Sequence, residues 1–113
     1  MLTLTPAQRR FLRAQAHSLH PVVMIGDAGL TEAIIKEAGR SLASHELIKI
    51  KCHSGDRAAR EAQLAEICER LDAAPVQHIG KILVIYRPAE KPRLALPQSA
   101  SGSNAKASRR QAG

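Results

Sequence analysis

Aromatic side chains are nearly missing: of 113 residues, one is Phe, one is Tyr and none is Trp. A binding surface built from rows of exposed rings with bases stacked on them needs several such residues, so that mode is excluded. Cysteine is scarce too. Cys52 and Cys68 are too far apart for a CxxC pair, and the expectation is two reduced core thiols. No run approaches the roughly 18 apolar residues of a membrane span, and the N-terminal MLTLTPAQRRFLRAQ has no apolar centre of the kind a secretory signal carries. The chain is therefore expected to be cytoplasmic and without membrane contact.

The motifs of enzymes are also wanting. GxSxG, a Walker loop and the dinucleotide-binding fingerprint do not occur. Five histidines, His17, His20, His45, His53 and His78, follow no HExxH or other compact ligand spacing. Cys52 and His53 are adjacent on a predicted strand, where neighbouring side chains point to opposite faces, so they cannot readily share a metal. The reading is a protein with no catalytic residues, no metal and no cofactor.

What the chain has is positive charge. Seventeen Lys and Arg stand against ten acids, a net charge of +7, which favours an anionic partner. Fourteen of those cations and all ten acids precede residue 98; Lys106, Arg109 and Arg110 complete the excess. From residue 98 to 113 the sequence is small, polar and basic, with too little apolar bulk to offset the entropy of ordering, and it reads as a disordered tail. Residues 1–97 then make one domain, closed by the proline-interrupted EKPRLALP.

Within that domain, Thr5-Pro6 opens a helix to about His17, with Ala7, Phe11, Leu12 and Ala14 as its apolar stripe and Arg9, Arg10 and Arg13 on the remainder. Val22 to Ile25 is a continuous β-prone run, expected of a strand buried on both faces. Thr31 caps a second helix whose Ile34, Ile35, Ala38 and Leu42 face inward and whose Lys36 and Arg40 face outward; Gly39 permits close packing. His45 ends that helix, and LIKIKC alternates, placing Ile48, Ile50 and Cys52 on one face and Lys49 and Lys51 on the other. Ser54 to Asp56 starts a third helix, RAAREAQLAEICERL, with a stripe of Ala58, Ala62, Ala65, Cys68 and Leu71 flanked by Leu64 and Ile67. Val76–Ile79 and Ile82–Tyr86 are separated by Gly80-Lys81, a two-residue hairpin, and the apolar second strand is expected at the centre. The order helix-strand-helix-strand-helix-strand-strand predicts an α/β fold with three helices and a small mixed four-stranded sheet.

The junction Gly26-Asp27-Ala28-Gly29 links a strand to a helix start. Such a turn aims unpaired backbone N–H groups, beside the positive end of the helix dipole, at whatever lies in front of it, and an anion suits that place. Glycines at 26 and 29 are expected to take positive φ angles and let a phosphodiester approach closely. Asp27 either opposes this, because a carboxylate in the loop repels phosphate, or accepts hydrogen bonds from the helix N-terminus, or turns outward and leaves the backbone donors free.

These stretches, LTPAQRRFLRAQAHSLHPVVMIGDAGLTEAIIKEAGRSLASHELIKIKCH and VQHIGKILVIYRP, resemble YhbY-like proteins of the CRM family (chloroplast RNA splicing and ribosome maturation), over about residues 3–97. The GxxG turn, the HELIKIK strand and the IGKxLVIYRP ending stand in the family's order and spacing. The resemblance implies a fold like the C-terminal domain of a bacterial translation initiation factor. It also implies RNA binding through a GxxG loop, here Gly26, Asp27, Ala28 and Gly29, and association with precursors of the large ribosomal subunit. Partnered by ribosomal RNA, and possible neighbours of ribosomal proteins, such chains are expected here as monomers. The proposed RNA surface adds Arg9, Arg10, Arg13, Lys36, Arg40, Lys49, Lys51 and Lys81 to the loop. A helix-turn-helix DNA reader is disfavoured by the apolar strand between the first two helices. The stronger alternative is an interaction module whose basic face docks an acidic ribosomal or assembly protein.

Overall fold

The computed structural model describes residues 2–53 and 55–97; the basic tail and Ser54 lie outside them. The elements are α1 (Pro6–Ala16), β1 (Pro21–Ile25), α2 (Glu32–His45), β2 (Leu47–Cys52), α3 (Arg57–Leu71), β3 (Ala74–Ile79) and β4 (Ile82–Tyr86), in the expected order. The sheet order is β1-β2-β4-β3, with β1 parallel to β2 and the other pairs antiparallel. The apolar β4 is central, as its composition requires.

Each helix begins as its cap residue dictates. Thr5 accepts a hydrogen bond from the Gln8 amide while Gln8 Oε1 accepts one from the Thr5 amide, a reciprocal capping box followed by Pro6. Thr31 and Asp56 cap α2 and α3 through the Ile34 and Ala59 amides.

Two apolar layers sandwich the sheet. On one side, Ile35, Ala38 and Leu42 of α2 and Leu64, Ile67 and Cys68 of α3 pack on Val23, Ile25, Ile48, Ile50, Leu83 and Ile85. The α3 stripe differs from the one expected. Ala58, Ala62 and Ala65 are exposed, because the helix rotates to bury its larger Leu and Ile side chains, which remove more apolar area from water. Gly39 admits α3 closely: a Cβ there would lie 3.3 Å from Leu71 Cδ2. Arg87 braces the same junction, its guanidinium donating to the Leu71 and Gly39 carbonyls.

On the other side, α1 packs Leu12 and Ala16 against Leu47, Val84, Tyr86, Ala74 and Val76, joined by Leu94 and Leu96 of the closing segment. Ala14, expected in its stripe, is exposed. The approach to α1 is tied to the start of β3 by the Leu2 amide donating to Ala73, and α1 itself by Arg9 Nε donating to Pro75; the chain after α1 enters β1 at the opposite edge. The helix thus crosses the sheet at the end where β2 begins and β4 finishes.

That crossing corrects the reading of β1. It is an edge strand buried on one face only: Val23 and Ile25 are interior, but Val22 is 44% and Met24 56% exposed, since α1 leaves their side of the sheet open. β3 starts at Ala74, earlier than Val76, and tolerates Pro75 because it too is an edge strand, with a register shift between Pro75 and Gln77.

The end of the sheet beneath α1 is fastened by Glu46. It turns the chain from α2 into β2 at φ +67°, a strained angle for a residue other than glycine. Its carboxylate, in a residue only 1% exposed, accepts hydrogen bonds from the Ala89, Arg93 and Leu94 amides at 2.9 to 3.1 Å. Burial alone would raise this carboxyl, but the three amides and the Arg93 charge bring it below the usual value of 4.5. Gln8 Nε2 then donates to the Pro97 carbonyl, so EKPRLALP lies across the domain as a closing segment.

Candidate nucleic-acid interface

The parallel strands β1 and β2 finish side by side, with Ile25 opposite Cys52. The His53 amide donates to the Ile25 carbonyl at 2.8 Å and the Cys52 amide to Lys81 at 2.7 Å. The 26–29 turn, the connection into α3 and the Gly80-Lys81 hairpin are thereby gathered at one end of the sheet, away from α1.

The turn closes with the Gly29 amide donating to the Gly26 carbonyl at 3.0 Å, placing Asp27 and Ala28 at its tip. Gly29 takes φ +78°, as expected, but Gly26 does not take a positive angle. Gly26 differs in another way: a Cβ built there meets nothing within 4 Å. The chain places no steric demand for glycine at 26, and the space in front of its backbone is open. The turn spends the Gly29 amide on itself, and Thr31 Oγ1 takes the Ile34 amide. Among the described residues, the Asp27 and Ala28 amides at the exposed tip have no hydrogen-bond partner.

Asp27 is 80% exposed on its side chain, with Oδ1 3.9 Å from His53 Nε2. Its charge leans toward an imidazole that the sequence reading did not include. Further in, Arg60 Nη1 donates to the Gly55 carbonyl at 2.5 Å and its Nε to His78 Nε2 at 3.3 Å. Accepting from Arg60 requires His78 Nε2 to be unprotonated, which puts the ring proton on Nδ1. That nitrogen, buried, faces Glu61 Oε1 at 3.0 Å without the alignment of a full hydrogen bond. Glu61 in turn stands 3.9 Å from Arg57. Arg57, Arg60, His53 and His78 thus join the junction. Only their placement on the β2–α3 connection and at the end of β3 signals them, and it needs the sheet order to be read.

Of the residues named from sequence, Lys51 and Lys81 stand exposed at this end, and Lys36 and Arg40 are exposed on the helix that leaves it. Lys49 is half-buried one step back along β2. The α1 arginines stand apart. Arg9 bonds to Pro75, about 13 Å along β3 from Ile79 at the usual rise per residue. Arg10 and Arg13 share its helix over the Leu47–Tyr86 end. The twelve residues form a junction group and an α1 group rather than one patch.

Neither thiol is poised for chemistry. Both cysteines are free and buried. Burial pushes Cys68 up to about 12 and also raises Cys52, against the opposing pull of Arg60. No group of three or more His, Cys, Asp or Glu among the described residues could hold a metal ion, and no helix among them is long and apolar enough to cross a membrane.

The CRS1 / YhbY (CRM) domain profile matches residues 4–87, ending ten residues before the closing segment does. A Haemophilus influenzae protein named "RNA-binding protein" is 45% identical over 98 residues, covering 87% of this chain and 99% of its own. A "Probable RNA-binding protein" of Pseudomonas aeruginosa is 38% identical over 91 residues, covering 80% and 88%. The solution structure of a hypothetical protein from Staphylococcus aureus has the same fold, with a TM-score of 0.76 at 32% identity, covering 84% of this chain and 100% of that one.

Proposed function

Because the chain belongs to the CRS1 / YhbY (CRM) domain family, we propose that it is an RNA-binding protein and not an enzyme, holding ribosomal RNA of a large-subunit precursor during assembly. It acts as a cytoplasmic monomer. The observation that carries this reading is the Gly26–Gly29 turn: two unpartnered amides at its tip, open space at Gly26, and Lys51 and Lys81 exposed on the neighbouring strand end and hairpin. The names of the relatives support RNA as the ligand. The choice of precursor ribosomal RNA follows from the family resemblance.

The amides position a phosphate, while lysines and arginines draw the polynucleotide in and neutralise it. The basic α1 group, across the sheet from the turn, supplies long-range attraction more than direct contact. With about five phosphates neutralised, a fourfold rise in salt weakens binding by roughly 100-fold on the single-strand slope. Titrating a precursor ribosomal RNA fragment at two salt concentrations measures this. A precursor fragment left unbound at both salt concentrations removes RNA from consideration and favours the acidic protein partner. Crosslinking the intact protein to RNA in cells, followed by sequencing, tests the ribosomal assignment.

A further inference from the structure

The open part of the α1 side of the sheet carries a row of side chains across all four strands. Met24 of β1 is opposite Lys51 of β2, Lys51 is opposite Ile82 of β4, and Ile82 is opposite Ile79 of β3. Directly paired residues share a face, and three strand spacings make the row about 14 Å wide. Its apolar ends are bare: Met24 is 56% and Ile79 58% exposed, the two largest values among the exposed large hydrophobic residues described. Ile82 between them is half-buried, and Lys51 is exposed without an ion pair among the described residues. Two residues after Met24 the chain reaches Gly26, and next to Ile79 it turns through Gly80-Lys81. The row therefore adjoins the GxxG turn at one side and a hairpin lysine at the other.

Resting on the RNA reading above, we propose that this row is a platform for unpaired nucleotides: bases lie on Met24 and on Ile79 with Ile82, and Lys51 and Lys81 meet the phosphates. A duplex hides its base faces by stacking and offers phosphates and 2′-hydroxyls, so bare Met and Ile side chains gain nothing from it. An unstacked base brings an apolar face that removes the same surface from water. The shortage of rings excludes aromatic stacking, not aliphatic contact, and the aliphatic version is the weaker of the two. Interleaved lysine makes the platform complementary to a polyanion. No acidic side chain stands in the row itself.

The test compares the full chain with the double variant Met24→Thr, Ile79→Thr, which puts a strand-favouring β-branched residue at both exposed positions, after thermal melting confirms the fold. Probes are an oligouridylate and a blocked-end duplex RNA. The expected result is about a tenfold loss of oligouridylate affinity with duplex affinity changed less than about twofold. Unchanged oligouridylate affinity, or an equal loss on both RNAs, overturns the platform. So does a variant that keeps RNA affinity but loses binding to polyglutamate, which assigns the face to an acidic protein. A wild-type chain that binds duplex but not oligouridylate sinks the platform alone; one that binds neither these probes nor precursor ribosomal RNA sinks the RNA reading itself.

Discussion

The two ends of the sheet use polar residues in opposite ways. At the end where β2 begins, Glu46, Arg87 and Arg93 are committed to backbone groups: the Glu46 carboxylate takes three amides, and Arg87 takes two carbonyls. At the end where β1 and β2 finish, Asp27, Lys51 and Lys81 stand exposed, and the Asp27 and Ala28 amides are unpartnered among the described residues. The three charges of Glu46, Arg87 and Arg93 at the first end are consumed by folding. Charge at the second is available to something else, and a fold carries such unsatisfied groups at little cost only where water or a ligand reaches them.

If the ends are truly separate in purpose, the largest effect comes from Glu46→Ala. Removing a buried acceptor from three amides is expected to cost about 3 kcal/mol in urea unfolding, with RNA affinity of the folded protein unchanged. Acid tests the same contact. Because the folded carboxyl sits below its ordinary 4.5, the stabilisation is present above that value and is lost as pH falls through the lower folded one. Loosening of residues 88–97, followed by hydrogen exchange, should track that window. An RNA-affinity loss in Glu46→Ala would break the division between the ends.

Gly29→Val is the reverse experiment. At φ +78° a β-branched residue is strained by about 2 kcal/mol, tolerable for the fold, but the displaced turn amides should lower RNA affinity by about tenfold or more. Affinity and melting temperature measured together separate the two contributions. Asp27→Lys is smaller and of opposite sign: replacing a carboxylate at the turn tip by an ammonium should strengthen binding about fivefold at low salt, fading as salt rises. A weaker complex in a folded variant would make Asp27 a positive contributor and refute its electrostatic assignment. Smallest on stability is Gly26→Ala, where a methyl meets nothing in the chain and the change should stay within about 0.5 kcal/mol. Any fall in RNA affinity there then reports the ligand, not the fold.

The sequence by itself determined the elements and their order. Cap residues, apolar periods and the Gly80-Lys81 hairpin are local, and local chemistry acts wherever the chain goes. It also determined that Ile48, Ile50 and Cys52 oppose Lys49 and Lys51, since a strand's alternation has no other solution. Tertiary structure alone decided that β1 is an edge. Its apolar run is the same whether one face or two are covered, and coverage depends on where α1 crosses, which no single segment encodes. Likewise only the sheet order placed His53 beside Gly26–Gly29, brought Arg60 to His78 and took Arg9 to the other end, because juxtaposition across strands is set by pairing register rather than by distance along the chain.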